Sequence, residues 1–418
     1  MNRLFAGIAA AALAAGLGFA GAASAQNLVI SNARIIVGDG KVIENGSIVV
    51  RDGKIASVAP GAAAGAPAGA TRIDGAGLTV MPGFIDIHRH LIQGDPAKWF
   101  AENAATRMRE LLESGVTTVQ SGGDQTAAIV ELKKKVESGE IKGPRIVAAG
   151  WTPISQLKTE EEVRAAIRGA KAAGLDSVAE IIYPVAANPF APTELERKNL
   201  PIALDEGAKI GIPIQVHAVG PEAMREAVRF GAKKLIHTPH YGWLTDEDGK
   251  AVAAAGAQVS SCTGFGAPVF DVFNHDNKPT FRDGKPWPEG VLGGEGRGRE
   301  AGYKPVNART LFDNGVTFGY CTDTTYNATA ALAQELKVLN LVFSPIDLVK
   351  IMGPNSAAML DRNDIGTLEP GKRGDLVVLA GNPLEGYWNM LNAVVVAKDG
   401  VVMVDKRAQV QNVKALKR

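Results

Sequence analysis

After its first few dozen residues the chain is built from short apolar runs separated by turn residues. Residues 28–30, 33–37, 47–50 and 54–58 are rich in β-branched side chains, and Asp52-Gly53 separates the last two runs. An Asp-Gly pair in that position predicts a hairpin, because glycine accepts the positive φ of a tight turn. Residues 60–70 form an Ala/Gly/Pro loop. The same pattern returns near the other end, at 375–379, 393–396 and 401–404, with Asp399-Gly400 before the last run. Two β-rich ends flanking a long middle predict one small β-sandwich domain assembled from both chain ends, over 26–80 and 361–418.

In the middle, strand-like and helix-like periods alternate. Strands are expected at 83–88, 117–120, 145–148, 177–182, 213–217, 234–237, 258–261 and 317–321. Helices are expected between them, among others at 101–114, 160–173, 195–210 and 222–230. Eight strands separated by helices predict an α/β fold, a (β/α)8 TIM barrel over 81–360. An open, doubly wound sheet is the competing arrangement.

Composition changes this picture at one end. Arg3, an unbroken apolar and small-residue run from Leu4 to Ala20, and Ala23-Ser24-Ala25 make the three-part pattern of a secretory signal peptide over 1–25. The reading is a periplasmic or secreted protein, with no membrane contact once the leader is cleaved. The 45 basic and 44 acidic side chains nearly cancel, which gives no reason to expect nucleic acid as a partner. Small molecules are the expected partners, and a homo-oligomer is compatible with the sequence. Two cysteines, Cys262 and Cys321, do not make a disulfide scaffold. They fall near the ends of adjacent expected strands, where facing side chains are not guaranteed, and two buried free thiols are expected.

The polar residues that interrupt the apolar strands carry the chemistry. The first barrel strand ends Asp86-Ile87-His88-Arg89-His90. Side chains alternate along a strand, so His88 and His90 share one face and Arg89 takes the other. His217 closes the fifth strand, His237 the sixth, and Asp323 lies at the end of the eighth. In a barrel these C-terminal strand ends converge on one mouth. Four of the six histidines occupy such ends. Imidazoles and a carboxylate gathered there suit Zn²⁺, with Mn²⁺, Co²⁺ or Fe²⁺ as alternatives.

With these motifs in hand, the chain resembles the amidohydrolase superfamily, nearest to its imidazolonepropionase-like and Xaa-Pro-dipeptidase-like branch. The resemblance rests on Met81-Pro82-Gly83-Phe84-Ile85-Asp86 leading into His88-x-His90, on the His217 and His237 segments, and on Gly319-Tyr320-Cys321-Thr322-Asp323. A closing signature, Ile365-Gly366-Thr367-Leu368-Glu369-Pro370-Gly371 and onward through Asp375 to Leu379, completes it. It implies a zinc-type hydrolase with His88, His90, His217, His237 and Asp323 around one or two metals. One position departs from the pattern. Binuclear relatives carry a carboxylated lysine on the fourth strand, where this chain has Ala179, followed by Glu180. An outward Glu180 would leave a mononuclear site. A one-residue bulge would instead bring Glu180 into the mouth as a native carboxylate bridge, and this is the reading adopted.

The reaction expected of such a site is metal-dependent hydrolysis of an amide bond, in a dipeptide, an N-acyl amino acid or a similar small amide. A divalent ion acidifies bound water and polarises the carbonyl, and Asp323 serves as general base and then acid. An esterase or lactonase, or a metal-dependent lyase, decarboxylase or dehydratase, could use the same residues. Tyr183, His240 and Tyr241 are the candidate substrate-binding residues, with Trp151, Thr324 and Tyr326 also just past strand ends. The stretch 265–303 is long for a βα loop and reads as a lid or specificity element.

Overall fold

The computed structural model describes residues 27–184, 191–264, 297–325 and 327–409. The leader-like segment 1–25, Tyr326 and most of the stretch 265–303 therefore lie outside the described residues. Among the described residues, no helix is long and apolar enough to cross a membrane.

The N-terminal part supplies β1 (Leu28–Ile36), β2 (Val42–Arg51), β3 (Lys54–Pro60), β4 (Thr71–Asp74) and β5 (Thr79–Pro82). The middle supplies β6 (Phe84–Arg89), β7 (Val116–Ser121), β8 (Arg145–Val147), β9 (Ala149–Gly150) and β10 (Ser177–Ile182). It continues with β11 (Ile214–His217), β12 (Lys234–Ile236), β13 (Gln258–Ser260) and β14 (Thr317–Gly319). The C-terminal part adds β15 (Leu376–Leu379), β16 (Ala393–Lys398) and β17 (Val401–Asp405). The helices between them are α1 (Pro96–Glu102), α2 (Ala104–Glu113), α3 (Thr126–Glu137), α4 (Glu160–Ala172), α5 (Glu194–Ile210) and α6 (Pro221–Arg229). Further along come α7 (Asp246–Ala254), α8 (Arg297–Asp313), α9 (Ala328–Leu339), α10 (Pro345–Lys350) and α11 (Ser356–Met359). The helix expected at 101–114 is divided at Asn103, which closes α1 and opens α2. Residues 297–303, read from sequence as loop, belong to α8.

Both chain ends meet in one eight-stranded sheet of order β17-β16-β15-β5-β1-β2-β3, with β4 paired to β1. The join is β15 antiparallel to β5, with Val378 opposite Val80. The strands are linked by continuous hydrogen bonding, and β3 also meets the segment before β15, where the Ile55 N–H donates to the Lys372 carbonyl (2.8 Å) and the Gly374 N–H to the Gly53 carbonyl (2.8 Å). The faces of the sheet alternate as the strand period requires. Leu376 and Val378 enter a core of their own with Leu28, Ile30 and Ile48, whereas Val377 and Leu379 pack into the main core. Both Asp-Gly pairs make the expected turns, with φ of 49° and 77° at Asp52-Gly53 and 50° and 74° at Asp399-Gly400.

The middle of the chain is TIM-barrel-like, with parallel strands ordered β6-β7-β8 and β9-β10-β11-β12-β13-β14 in two sheets. The sheets touch at both seams. The Ile87 N–H donates to the Tyr320 carbonyl (3.1 Å) and the Asp323 N–H to the His88 carbonyl (2.9 Å). At the other seam, the Ser121 Oγ bonds both the N–H and the carbonyl of Ala149 (2.7 and 2.6 Å). Phe84, Val119, Val178, Val216, Leu235, Val259 and Phe318 face the helices and join the main core. The opposite faces contribute Ile85, Ile87, Ala149, Ala179, Ile236, Cys262 and Cys321 to a separate small core.

Of the register shifts that interrupt this alternation, two lie beneath the functional site. On β10, Val178 and Ile181 pair with Ile214 and Val216, so three steps on one strand match two on its neighbour. Ala179 and Glu180 consequently both fall on the inner side. On β6, the register slips likewise between Asp86 and Arg89, which bracket Ile87 and His88.

The cysteines correct the sequence reading. Cys262 and Cys321 are joined as a disulfide, with Cα atoms 5.0 Å apart. β13 and β14 are neighbours, and Cys262 adopts a left-handed φ of 42° just past the end of β13. That local turn sets the direction of its side chain, and strand parity alone does not reveal it.

Candidate metal centre

His88, His90, Glu180, His217, His237 and Asp323 lie together at the C-terminal ends of β6, β10, β11, β12 and β14. The Asp323 Oδ1 is 3.0 Å from His90 Nε2 and 3.4 Å from His88 Nε2, and its Oδ2 is 3.8 Å from His237 Nε2. The Glu180 Oε2 is 2.8 Å from His217 Nδ1, 3.8 Å from His237 Nε2 and 3.9 Å from His88 Nε2. Among the described residues, three overlapping triads have ligand atoms close enough for one ion each: His88–His90–Glu180, His88–His237–Asp323 and Glu180–His217–His237. Glu180 belongs to the first and third of these, so its carboxylate stands between the His88/His90 pair and the His217/His237 pair.

The donor set fits a divalent cation on a structural ground as well. His88 is fully buried, yet among the described residues neither its Nδ1 nor its Nε2 has a hydrogen-bond partner. A buried polar atom without a partner is costly unless something else binds it. Room for the ring is provided by Gly122, where a Cβ would come within 2.9 Å of His88 Nε2.

The electrostatics follow from this crowding. Burial opposes ionisation of Asp323, but His237, His88 and His90 hold its carboxyl well below the usual carboxylate range. Burial likewise opposes ionisation of Glu180, and His217 and His237 override it to keep the carboxyl low. For His90 and His217 the carboxylates win over burial and raise the imidazoles, through Asp323 for His90 and Glu180 for His217. Burial and the neighbouring His217 push His237 down to about 4.

A supporting shell was not foreseen from the sequence. Both Asp124 oxygens accept backbone N–H groups, from Leu91 and Ile92 (3.0 Å each), and so fix the turn that follows His90. The only sequence signal was Gly122-Gly123-Asp124 just past β7, a chain break with a carboxylate attached. On the outer face, buried Asp86 accepts the Thr322 hydroxyl (2.6 Å), while Arg89 donates to the Thr322 and Thr324 hydroxyls (3.0 Å each). This clasp ties the end of β6 to the segment carrying Asp323. It also accounts for Thr324, which serves the clasp.

The expected substrate residues divide. Tyr183 is fully buried and its hydroxyl donates to Glu226 of α6 (2.7 Å), so it points into the helical layer and leaves the substrate set. His240 is buried, its ring 4.5 Å from that of Tyr241. Burial, reinforced by Lys304 and His237, keeps His240 well below the usual imidazole range. Its Nδ1 lies 3.3 Å from the Thr238 carbonyl, which can only accept, so Nδ1 carries the proton and Nε2 the lone pair. Trp151 stands exposed at the end of β9.

Comparison with known proteins agrees with this geometry. Residues 79–406 match the model of the amidohydrolase family. The imidazolonepropionase of Salinispora arenicola (strain CNS-205) is 27% identical over 346 residues, 74% of this chain and 79% of the relative. That of Salinispora tropica is 24% identical over 352 residues, 75% of this chain and 81% of the relative. A crystal structure of a Xaa-Pro dipeptidase with bound methionine in the active site superposes with a TM-score of 0.74 at 22% identity, covering 90% of this chain and 99% of the other. A family match over most of its length, with the ligand cluster inside the matched region, means that the chain belongs to the amidohydrolase family.

Proposed function

We propose that this protein is a metal-dependent hydrolase that cleaves a carbon–nitrogen bond in a small amide, a dipeptide or an N-acyl amino acid. The observation that carries the reading is the convergence of four imidazoles and two carboxylates, with buried His88 lacking any hydrogen-bond partner among the described residues. Relatives named imidazolonepropionase and Xaa-Pro dipeptidase support an amide-like substrate. The domain reading that goes with it is a closed (β/α)8 barrel over 81–360 beside a β-domain formed by 26–80 and 361–418.

His88, His90, His217 and His237 would hold one or two ions, zinc being the best match to the donor set, with Asp323 and Glu180 completing the ligands. When bound, such an ion polarises the scissile carbonyl and acidifies water. The protein's own part is to hold a base where that proton leaves. Asp323 is ionised and fixed between His88 and His90, so it accepts the proton and returns it to the departing nitrogen. His240 is neutral with its lone pair on Nε2, which suits a substrate N–H or O–H rather than the developing oxyanion. Tyr241 packs against it and shapes the same wall.

The leader pattern at 1–25 together with the disulfide supports a periplasmic or secreted setting, since disulfides persist in oxidising compartments. The test is a screen of the zinc-loaded protein against dipeptides, N-acyl amino acids, esters and lactones. Release of a free amine supports the reading. Turnover confined to esters or lactones, or turnover without solvent oxygen in the product, would refute it.

A further inference from the structure

A cavity of about 480 Å³ opens far from the ligand cluster, beside the start of β8. Arg145, the first residue of that strand, lines it, so the cavity sits at the N-terminal ends of the barrel strands, whereas the cluster sits at their C-terminal ends. It separates the end of α3 and the segment leading to β8 from β16 and β17 of the terminal sheet.

Five cations line it: Lys142, Arg145, Arg362, Arg373 and Lys398. The three arginines are committed to three aspartates. Arg145 reaches Asp375 (2.5 Å) and both oxygens of Asp399 (2.9 and 3.0 Å). Arg362 grips both oxygens of Asp364 (2.7 Å each), and Arg373 bridges Asp364 (2.7 Å) and Asp399 (2.8 Å). Those carboxylates are therefore occupied by forked, charge-assisted bonds.

Lys398 stands outside this pairing. Lys398 is half-buried, its Nζ donates to the Gly143 carbonyl (2.7 Å), and among the described residues no carboxylate lies within ion-pair distance of it. Burial and the nearby Arg145 guanidinium hold it below the usual lysine range, although Asp399, Asp375 and Glu137 favour its charge from beyond contact distance. Glu137, the fourth carboxylate here, reaches Lys133 on its own helix at 4.0 Å. Lys142 is exposed at the rim and makes no ion pair among the described residues. A cavity large enough for a small molecule thus presents an ammonium with no carboxylate in direct contact among the described residues, next to a second cation without an ion pair, Lys142, and to Arg362 and Arg373.

We propose that this cavity is a second ligand site, for a small oxyanion carrying two or more negative charges, seated on Lys398 and Lys142. The ligand would supply a counter-charge in direct contact and tie the α3–β8 segment to the terminal sheet. It binds independently of the hydrolytic reaction. A ligand that binds only the folded state raises its stability with concentration.

The test is calorimetric titration of the full, metal-loaded protein with inorganic phosphate and, separately, with succinate, at ionic strength balanced by chloride. The expected result is saturable binding of at least one of the two, which distinguishes a phosphate from a carboxylate site, together with a rise in the thermal midpoint. Lys398→Met should weaken binding at least tenfold, Lys142→Ala at least threefold, and Lys398→Arg should retain it, with basal turnover unchanged in all three. Should Lys398→Met fail to fold, Lys142→Ala and Lys398→Arg decide. Equal affinity in wild type and Lys142→Ala, a midpoint shift that chloride reproduces, or binding of neither anion would overturn the proposal.

Discussion

The Glu180 Oε2 lies 2.8 Å from the Nδ1 of His217 and within 4 Å of the Nε2 of both His88 and His237, so one carboxylate faces both halves of the histidine cluster. The resemblance to the amidohydrolase superfamily implies a carboxylated lysine one residue earlier, at Ala179, and the bulge on β10 is what carries the glutamate into the mouth. A glutamate bridge is intrinsic to the chain. Metal content and activity should therefore be indifferent to added bicarbonate, and wild type should hold about two ions per chain. Glu180→Gln should lower occupancy, because a neutral amide cannot offset two adjacent cations, and Glu180→Ala should lower it further. Plasma emission on the three proteins decides. A wild-type ratio of about one ion, unchanged by either substitution, would exclude the bridge.

Metal affinity should weaken on acidification. His90 and His217 are raised in the metal-free protein, so they hold protons above the ordinary imidazole value of about 6.5, and an ion must displace them. The loss should accordingly begin above that pH. For the metal-free protein the sign reverses. The stabilisation from these raised groups is fully present below about 6.5 and fades as pH rises through their folded values. Competitive zinc titrations and thermal midpoints across pH 5 to 9 measure both. Affinity that is flat over that range would contradict the assignment of these two residues.

Asp323→Asn should reduce turnover by orders of magnitude while most metal remains bound. It removes the proton acceptor but leaves all four imidazoles in place. Turnover and metal content of one preparation provide the check. A variant that loses metal in proportion to activity would make Asp323 a ligand and no more.

Much of this site could be read from the chain, and the exceptions have physical causes that strand periodicity does not encode. His88, His90, His217, His237 and Asp323 end strands whose apolar runs are unambiguous, so a count along each strand finds them. Glu180 required a bulge, which a strand pattern allows but does not dictate. Tyr183 was misplaced because a residue one step past the end of β10 can turn either way, and Glu226 on α6 captured its hydroxyl. Asp124 and Asp86 act on backbone and hydroxyl partners far away in sequence, and no local pattern announces such a contact. The cysteines failed for the same reason as Tyr183, since the left-handed turn at Cys262 is a local event beyond the strand.

Thiol counting on denatured, unreduced protein should give none, because Cys262 and Cys321 are paired. The bond closes a sequence separation of 59 residues, and restricting the unfolded chain by such a loop is worth about 4 kcal/mol. Replacing both cysteines by serine should lower stability by an amount of that order, read by denaturant unfolding. Two titratable thiols in the untreated protein would contradict the pairing.

The most direct test of the metal-dependent hydrolysis proposed above is a single-turnover reaction in oxygen-18 water. An N-acyl amino acid or dipeptide identified as substrate is given to protein stripped by chelator, and to the same protein after zinc is restored. The account predicts no turnover without the ion, recovery with it, and one solvent oxygen in the carboxylate product. Undiminished turnover of the stripped protein, or a product free of the label, would contradict it.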